Sequence, residues 1–348
     1  MTDVVTPPLD VLARWPLFTG ASVRPFGTGL INRTFLVEAP TERFVLQQLH
    51  PVFAGIVNED IDAVTAHLSS RGLTTPRPVR TEDGALWADD AEGRPWRALT
   101  FVSGTSSDTV ASPAHAAEAG RLVATFHAAV DDLAYGYRHV RPSVHDTARH
   151  LSVLERAIDE HQSHRLFERV APVAGALLAN ARALPDFGAM PLRHVHGDLK
   201  ISNLLFDEAG RGLCLVDLDT LGRMPWAHEM GDALRSWCNP AGEEVTDARI
   251  DTALFEGAVR GYAAGATHVT SDERTQLVAG MSAISLELSA RFLADALNER
   301  YFGWNVAKYA SRGDHNLARA VGQWSLHRSV EEARPELERI AREAFERA

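Results

Sequence analysis

Lysine is almost missing from this chain. Of 35 Lys plus Arg in 348 residues, only Lys200 and Lys308 are lysines, and residues 1–199 contain none. The Ala-rich composition suggests codon bias as the main reason, yet a ligand held by the first half must do without a lysine ammonium group. Cysteine is scarce as well: Cys214 and Cys238 are too few for a disulfide framework, and Leu213-Cys-Leu-Val216 reads as strand interior. Positive charge is not in excess. The net charge of −11 leaves no basic footprint for a nucleic acid. The N-terminus, Met1-Thr-Asp-Val-Val-Thr-Pro-Pro8, lacks the basic region and apolar core of a signal peptide, and no apolar run is expected to reach the length of a membrane span. Together these absences predict a cytoplasmic protein in a reducing compartment, with neither nucleic acid nor membrane as partner. Oligomeric state stays open.

What is present divides near residue 103. Residues 21–50 alternate as an antiparallel meander, Ser22-Val-Arg-Pro-Phe26, Thr34-Phe-Leu-Val-Glu38 and Arg43-Phe-Val-Leu-Gln47, with Gly27-Thr28-Gly29 between the first two strands. Val57, Ile61, Val64 and Leu68 have helical spacing, and Arg71-Gly72 supplies a stop. Short strands follow near Val79, at Ala85-Leu-Trp-Ala88 and at Trp96–Val102. After the polar Ser103-Gly-Thr-Ser-Ser-Asp108, helices are predicted over 116–130, 147–158, 165–183, 227–237, 247–264, 273–299 and 314–346, the last with Pro335 as a kink or break. The plan is α+β: a small antiparallel β-rich lobe over 1–103 and a larger, mostly helical lobe over 104–348.

The helical half is interrupted by His194-Val-His-Gly-Asp-Leu-Lys-Ile-Ser-Asn203, with Asp217-Leu-Asp219 fourteen residues after Asn203. Leu204-Leu-Phe206 and Leu213–Val216, joined by an Asp207–Gly212 turn, read as a hairpin whose open end sets Asn203 beside Asp217. Asp198 precedes it in the loop. Hard oxygen ligands of this kind suit magnesium against a polyphosphate, while a nearby carboxylate orients a hydroxyl nucleophile. The chemistry implied is phosphoryl transfer from a nucleotide to a small molecule.

His196-Gly-Asp-Leu-Lys-Ile-Ser-Asn203 and Val216-Asp-Leu-Asp219 resemble the catalytic loop and metal segment of the aminoglycoside phosphotransferase superfamily, which shares a two-lobed protein-kinase-like fold. The resemblance implies ATP and Mg2+ as cofactors, Asp198 as catalytic base, Lys200 facing the transferring phosphate, and Asn203 and Asp217 as metal ligands. Asp219 is either a further metal contact or a brace for the loop. Gly27, Thr28 and Gly29 would cover the phosphates, and Thr100 to Val102 would read adenine through the backbone. Where most such enzymes carry an ATP-binding lysine, this chain has Gln47. Arg33, Arg43 or Gln47 could contact phosphate instead, and Glu59 and Asp62 lose the partner a helix acid would have.

Several segments are similar to N-acetylhexosamine 1-kinases: Gly29-Leu-Ile-Asn-Arg-Thr-Phe35, Val45-Leu-Gln-Gln-Leu49, Gly231-Asp-Ala-Leu-Arg235 and Glu287-Leu-Ser-Ala-Arg-Phe-Leu-Ala-Asp295. Those enzymes also have glutamine in place of the lysine. By this resemblance Arg291 and Tyr301 contact a sugar, and Arg235 touches substrate or phosphate. A helical charge ladder through Glu287, Arg291 and Asp295 is the alternative for Arg291. His127 is expected to be a packing residue, and Trp226, Trp237 and Trp304 either stack on a sugar or fill the core. The implied activity is transfer of phosphate to the anomeric hydroxyl of a sugar or amino sugar. Aminoglycoside, choline, homoserine or simple-sugar acceptors, and a nucleotide-binding pseudokinase, are the alternatives.

Overall fold

The computed structural model describes residues 6–27, 31–140 and 145–348. It separates into two compact units, each assembled from separated stretches of chain. The first takes Met1–Gly104, Asp132–Val140 and Cys214–Gly222; the second takes Thr105–Asp131, Arg141–Leu213 and Arg223–Ala348.

In the first unit a short helix α1 (Leu9–Leu12) precedes strands β1 (Ser22–Pro25), β2 (Arg33–Glu38) and β3 (Arg43–Gln48). These form the antiparallel meander that their alternation implies, with Val23 opposite Val37 and Leu36 opposite Val45. Helix α2 (Val57–Ser70) follows, then β4 (Pro78–Val79), β5 (Ala88–Asp89) and β6 (Pro95–Thr100). The sheet order is β1-β2-β3-β6-β4, with β5 also paired to β6. Its inward residues, Phe35, Phe44, Leu46, Trp96 and Ala98, pack with Val11 and Trp15 into one core. The stripe Val57, Ile61, Val64 and Leu68 is buried. Gly72, at φ +76°, lets Leu73 N–H return to the Leu68 carbonyl (3.1 Å) and ends the helix. A single buried carboxylate, Asp60 on α2, accepts from Tyr135 Oη and from the backbone N–H of Arg138 and His139, each at 2.8 Å. That pins the 132–140 stretch to this unit.

The second unit is built of helices α3 (Pro113–Val130), α4 (Thr147–Glu160) and α5 (Phe167–Ala181), strand β7 (Leu192–Val195), and a hairpin of β8 (Leu204–Phe206) with β9 (Gly212–Leu215). The division between the units falls inside β9. Strand β10 (Gly222–Pro225), which the sequence reading did not foresee, pairs with β7. Helices α6 (Trp226–Trp237), α7 (Thr252–Ala263), α8 (Ser271–Thr275), α9 (Leu277–Asn298) and α10 (Arg312–Arg347) complete it.

Three expectations are corrected here. Residues 247–251 are not helical, because the Asp251 carboxylate caps Ala253 and Leu254 N–H and fixes the start of α7. The predicted 273–299 helix is two helices that part at Gln276. Pro335 lies within α10 without ending it, which removes the break but not the kink from the expectation. A fourth correction concerns α9: its 22 residues, with mean hydropathy 1.4 over an 18-residue window, are long and apolar enough to cross a membrane, yet 94% of that window is buried inside the protein. Its Ile284, Leu288, Phe292 and Leu293 form the helical core with Leu154, Val170 and Leu317.

Candidate active site

Strand β7 delivers the chain into the loop at His196. Gly197 turns it at φ +83°, in the left-handed region that favours glycine. The buried Glu229 on α6 accepts both neighbouring amides, His196 N–H at 2.7 Å and Gly197 N–H at 3.0 Å. Trp237 Nε1, also on α6, donates to the Leu199 carbonyl at 2.7 Å. The loop is thus fastened to one helix on both sides of Asp198. Asn203 Nδ2 donates to the Asp198 carbonyl (2.8 Å) and to its carboxylate Oδ2 (3.1 Å), and Lys200 Nζ reaches the same oxygen at 2.9 Å. The structure brings these three predicted residues together. It leaves the Asn203 amide oxygen as the atom that could face a cation.

Asp217 adopts φ 63°, ψ 56° at the head of a 3-10 turn over Leu218–Thr220. A non-glycine residue in this conformation carries strain of about 1–3 kcal/mol that the surrounding structure must hold, a pattern concentrated at functional sites. Asp219 is 2% exposed. Its carboxylate is gripped by Arg97, through NH1 to Oδ1 and NH2 to Oδ2 (3.0 Å), and by Asn32 Nδ2 to Oδ2 at 2.6 Å. A guanidinium and an amide thus engage both carboxylate oxygens of Asp219, the kind of contact the brace among its two expected roles would make.

Other predicted residues fall differently. Gln47 Oε1 accepts from Arg97 Nε (2.9 Å) and NH2 (2.7 Å), while its Nε2 donates to Thr34 Oγ1. Arg33 donates to Gln48, and the Arg43 guanidinium lies 4.3 Å from the Phe101 ring centroid. Glu59 and Asp62 pair with Arg138 and Arg80. Thr100 Oγ1 accepts the Arg77 N–H at 2.9 Å; Val102 is half-buried beyond the end of β6. Gly27 is exposed at φ +77°; Thr28 and Gly29 lie outside the described residues.

Arg235, expected to touch substrate or phosphate, is buried and held by carboxylates: Nε and NH2 donate to Asp232 Oδ1 (2.9 and 2.7 Å) and NH1 to Glu243 (3.1 Å). Burial alone would lower its pKa, but the two carboxylates hold it above the usual arginine value. Of the charge ladder on α9, the Glu287–Arg291 rung is present as a long ion pair. Arg291 stands 3.9 Å from Glu287, whose buried carboxylate takes His145 Nδ1 (3.0 Å) and Thr147 Oγ1 (2.6 Å). Asp295 accepts the backbone N–H groups of Arg300, Tyr301 and Phe302 and Asn316 Nδ2. Tyr301, on the stretch Asp295 holds, is 61% exposed. His127 is a buried packing residue with Nδ1 2.8 Å from Tyr262 Oη, and Trp226 and Trp237 belong to the core.

A profile of the phosphotransferase enzyme family, APH, matches residues 22–266. The chain belongs to that family. The phosphotransferase is similar to the homoserine kinases of Cupriavidus pinatubonensis (24% identity over 266 residues, 73% of this chain and 76% of that one) and Xanthobacter autotrophicus (30% over 272 residues, 74% and 78%). Among solved structures it resembles an aminoglycoside phosphotransferase from Alicyclobacillus acidocaldarius, with TM-score 0.65 and 16% identity, covering 97% of this chain and 98% of that one. It also resembles an amicoumacin kinase in complex with AMP-PNP and Ca2+, with TM-score 0.58 and 11% identity, covering 90% of each. These likenesses show the protein-kinase-like fold expected from the sequence, and the phosphotransferase acts on a small molecule.

Sequence reasoning missed Glu229, Arg97, Asn32 and Asn58, the last a buried residue of α2 that accepts from Arg97 NH1 at 3.4 Å. Each acts on a residue remote in sequence, so no local pattern marks it.

Proposed function

We propose that the protein is an ATP- and Mg2+-dependent kinase that phosphorylates the anomeric hydroxyl of an N-acetylhexosamine or related sugar. The observation that carries the reading is the Asp198 carboxylate, held by Asn203 and Lys200 in a loop clamped to α6. Asp198 would accept the hydroxyl proton as the oxygen attacks the γ-phosphorus, and Lys200 would neutralise charge on the transferred group. The donor set fits magnesium: an amide oxygen at Asn203 and a carboxylate at Asp217 are hard ligands that leave positions for phosphate and water. Asn203 and Asp217 would hold the ion, which when bound would supply positive charge against the phosphates. The AMP-PNP complex of the amicoumacin kinase supports ATP as donor. The Gly27–Val102 residues named above would cover the nucleotide, and Arg291 and Tyr301 would face the sugar. A cytoplasmic location goes with this reading.

The resemblance of segments such as Val45–Leu49, with Gln47, to N-acetylhexosamine 1-kinases is what supports the sugar acceptor. The homoserine kinase relatives favour a second reading, with the side-chain hydroxyl of an amino acid as acceptor. ADP release measured against N-acetylglucosamine, N-acetylgalactosamine, glucosamine, homoserine, choline and kanamycin separates the two. Turnover confined to homoserine would replace the first reading by the second, and no magnesium-dependent ATP turnover with any acceptor would remove both.

A further inference from the structure

The lysine-free first half raises a direct question: which cation organises the nucleotide side of a phosphotransferase whose strand β3 carries glutamine? In protein kinases a strand lysine pairs with a helix glutamate, and that pair and the metal-binding aspartate must both be in place for activity. Here the candidates narrow quickly. Arg43 stacks on Phe101, and Arg33 bonds to Gln48 at 3.3 Å. Arg97, on β6, is 1% exposed and stands directly opposite Gln47 in the sheet register.

Its guanidinium meets three elements at once. Nε and NH2 donate to Gln47 on β3, NH1 donates to Asn58 Oδ1 on α2 (3.4 Å), and NH1 and NH2 grip Asp219. Asn58, fully buried, stands on α2, the helix from which a glutamate would otherwise reach the lysine. Two neutral amides and one carboxylate therefore surround one buried cation. Such a charge is tolerated inside a protein only when paired and hydrogen-bonded, as this one is.

We propose that Arg97 is the positioning cation of the nucleotide-binding unit, taking over from the absent lysine and acting through Asp219 to hold the strained Asp217 backbone in its metal-binding conformation. In the usual arrangement the strand cation reaches the phosphates. Here it is locked to the turn that carries the metal carboxylate, so Asp217 is set before any nucleotide arrives. The donors of Arg97 are engaged within the protein, so it is not a phosphate contact, and Asp219 is not a metal ligand while Arg97 holds it. The role rests on the ATP- and Mg2+-dependent reading above.

The test is calorimetric binding of ADP at a series of magnesium concentrations, on the full chain, for wild type, Arg97→Lys, Asp219→Asn and the double variant. Loss of a residue that orients a metal ligand typically weakens metal affinity by about 10–100-fold. The magnesium midpoint should therefore rise by about that factor in each single variant and little further in the double variant, with magnesium-free ADP binding nearly unchanged. A merely structural role would lower the melting temperature and leave the midpoint in place. Should Arg97→Lys fail to fold, Asn32→Ala, which removes one bond to Asp219, carries the same readout. Folded variants with an unshifted magnesium midpoint overturn the role of Arg97 and leave the kinase reading standing. A wild type whose ADP binding ignores magnesium overturns the kinase reading itself, and the role with it.

Discussion

At Asp198, two donors converge on one carboxylate oxygen, which leaves the other for a substrate proton. Replacing it with alanine should reduce turnover by about 10²–10⁴-fold, the range for a positioned base. Steady-state kinetics on the identified acceptor measure this, and near-normal turnover would remove Asp198 from the mechanism. Glu229→Gln is a milder probe. The amide can accept one loop N–H but opposes the other with its own NH2, leaving a buried donor unsatisfied at about 1–3 kcal/mol, readable in a denaturant titration. The cysteines supply a third check. Burial pushes the Cys214 thiol up to about 12, and burial with Asp251 nearby raises Cys238 as well. Neither should react with a thiol reagent near pH 8 until the chain unfolds, when both should. Rapid labelling of native protein would show that one of them is reachable.

The elements were legible in proportion to how local their causes are. Helix α2 matches its expected span because its apolar stripe and glycine stop lie within the segment. The Asp198 loop was readable for the same reason: Asn203 and Lys200 reach Asp198 from five and two residues away. Arg97 was not, because its meaning depends on the register that sets it opposite Gln47 and on a turn 122 residues later. The partners of Arg235 were not legible either, because Asp232 three residues before it and Glu243 eight residues after it meet its guanidinium only once α6 and the loop beyond it are folded. Close helix contacts were equally invisible. A Cβ on Gly280 of α9 would lie 2.1 Å from the Ala227 carbonyl oxygen of α6, and one on Gly231 would lie 2.6 Å from the Gly280 carbonyl carbon. Gly280→Ala should therefore force the helices apart at about 1–3 kcal/mol. Because α6 carries Glu229, turnover should fall in the same variant; a melting curve and a kinetic run test both.

For the molecule as a whole, the buried His228 and the half-buried His268 set a direction for stability against pH. Burial first, then neighbouring His145, lowers His228 from 6.5 to about 4; burial and His127 do the same to His268. Between those values the unfolded chain takes up protons that the native state refuses. Stability is thus fully present above about pH 6.5 and declines as pH falls toward 4. Melting temperatures recorded from pH 7 to pH 4 should drop, and a flat profile would contradict the assignment. The discontinuity of the first unit yields a second outcome. A fragment ending at residue 104 lacks both the Asp219 that neutralises Arg97 and the stretch that satisfies Asp60. It should show no cooperative melting transition.

The same discontinuity reaches back to the ribosome. Arg97 is polymerised long before Asp219, and at about 5–20 residues per second the wait is roughly ten seconds. Throughout that interval the nascent sheet holds a cation destined for its interior with no counter-ion to meet it. The first unit therefore cannot complete its buried ion pair until the Asp198 loop has already been made.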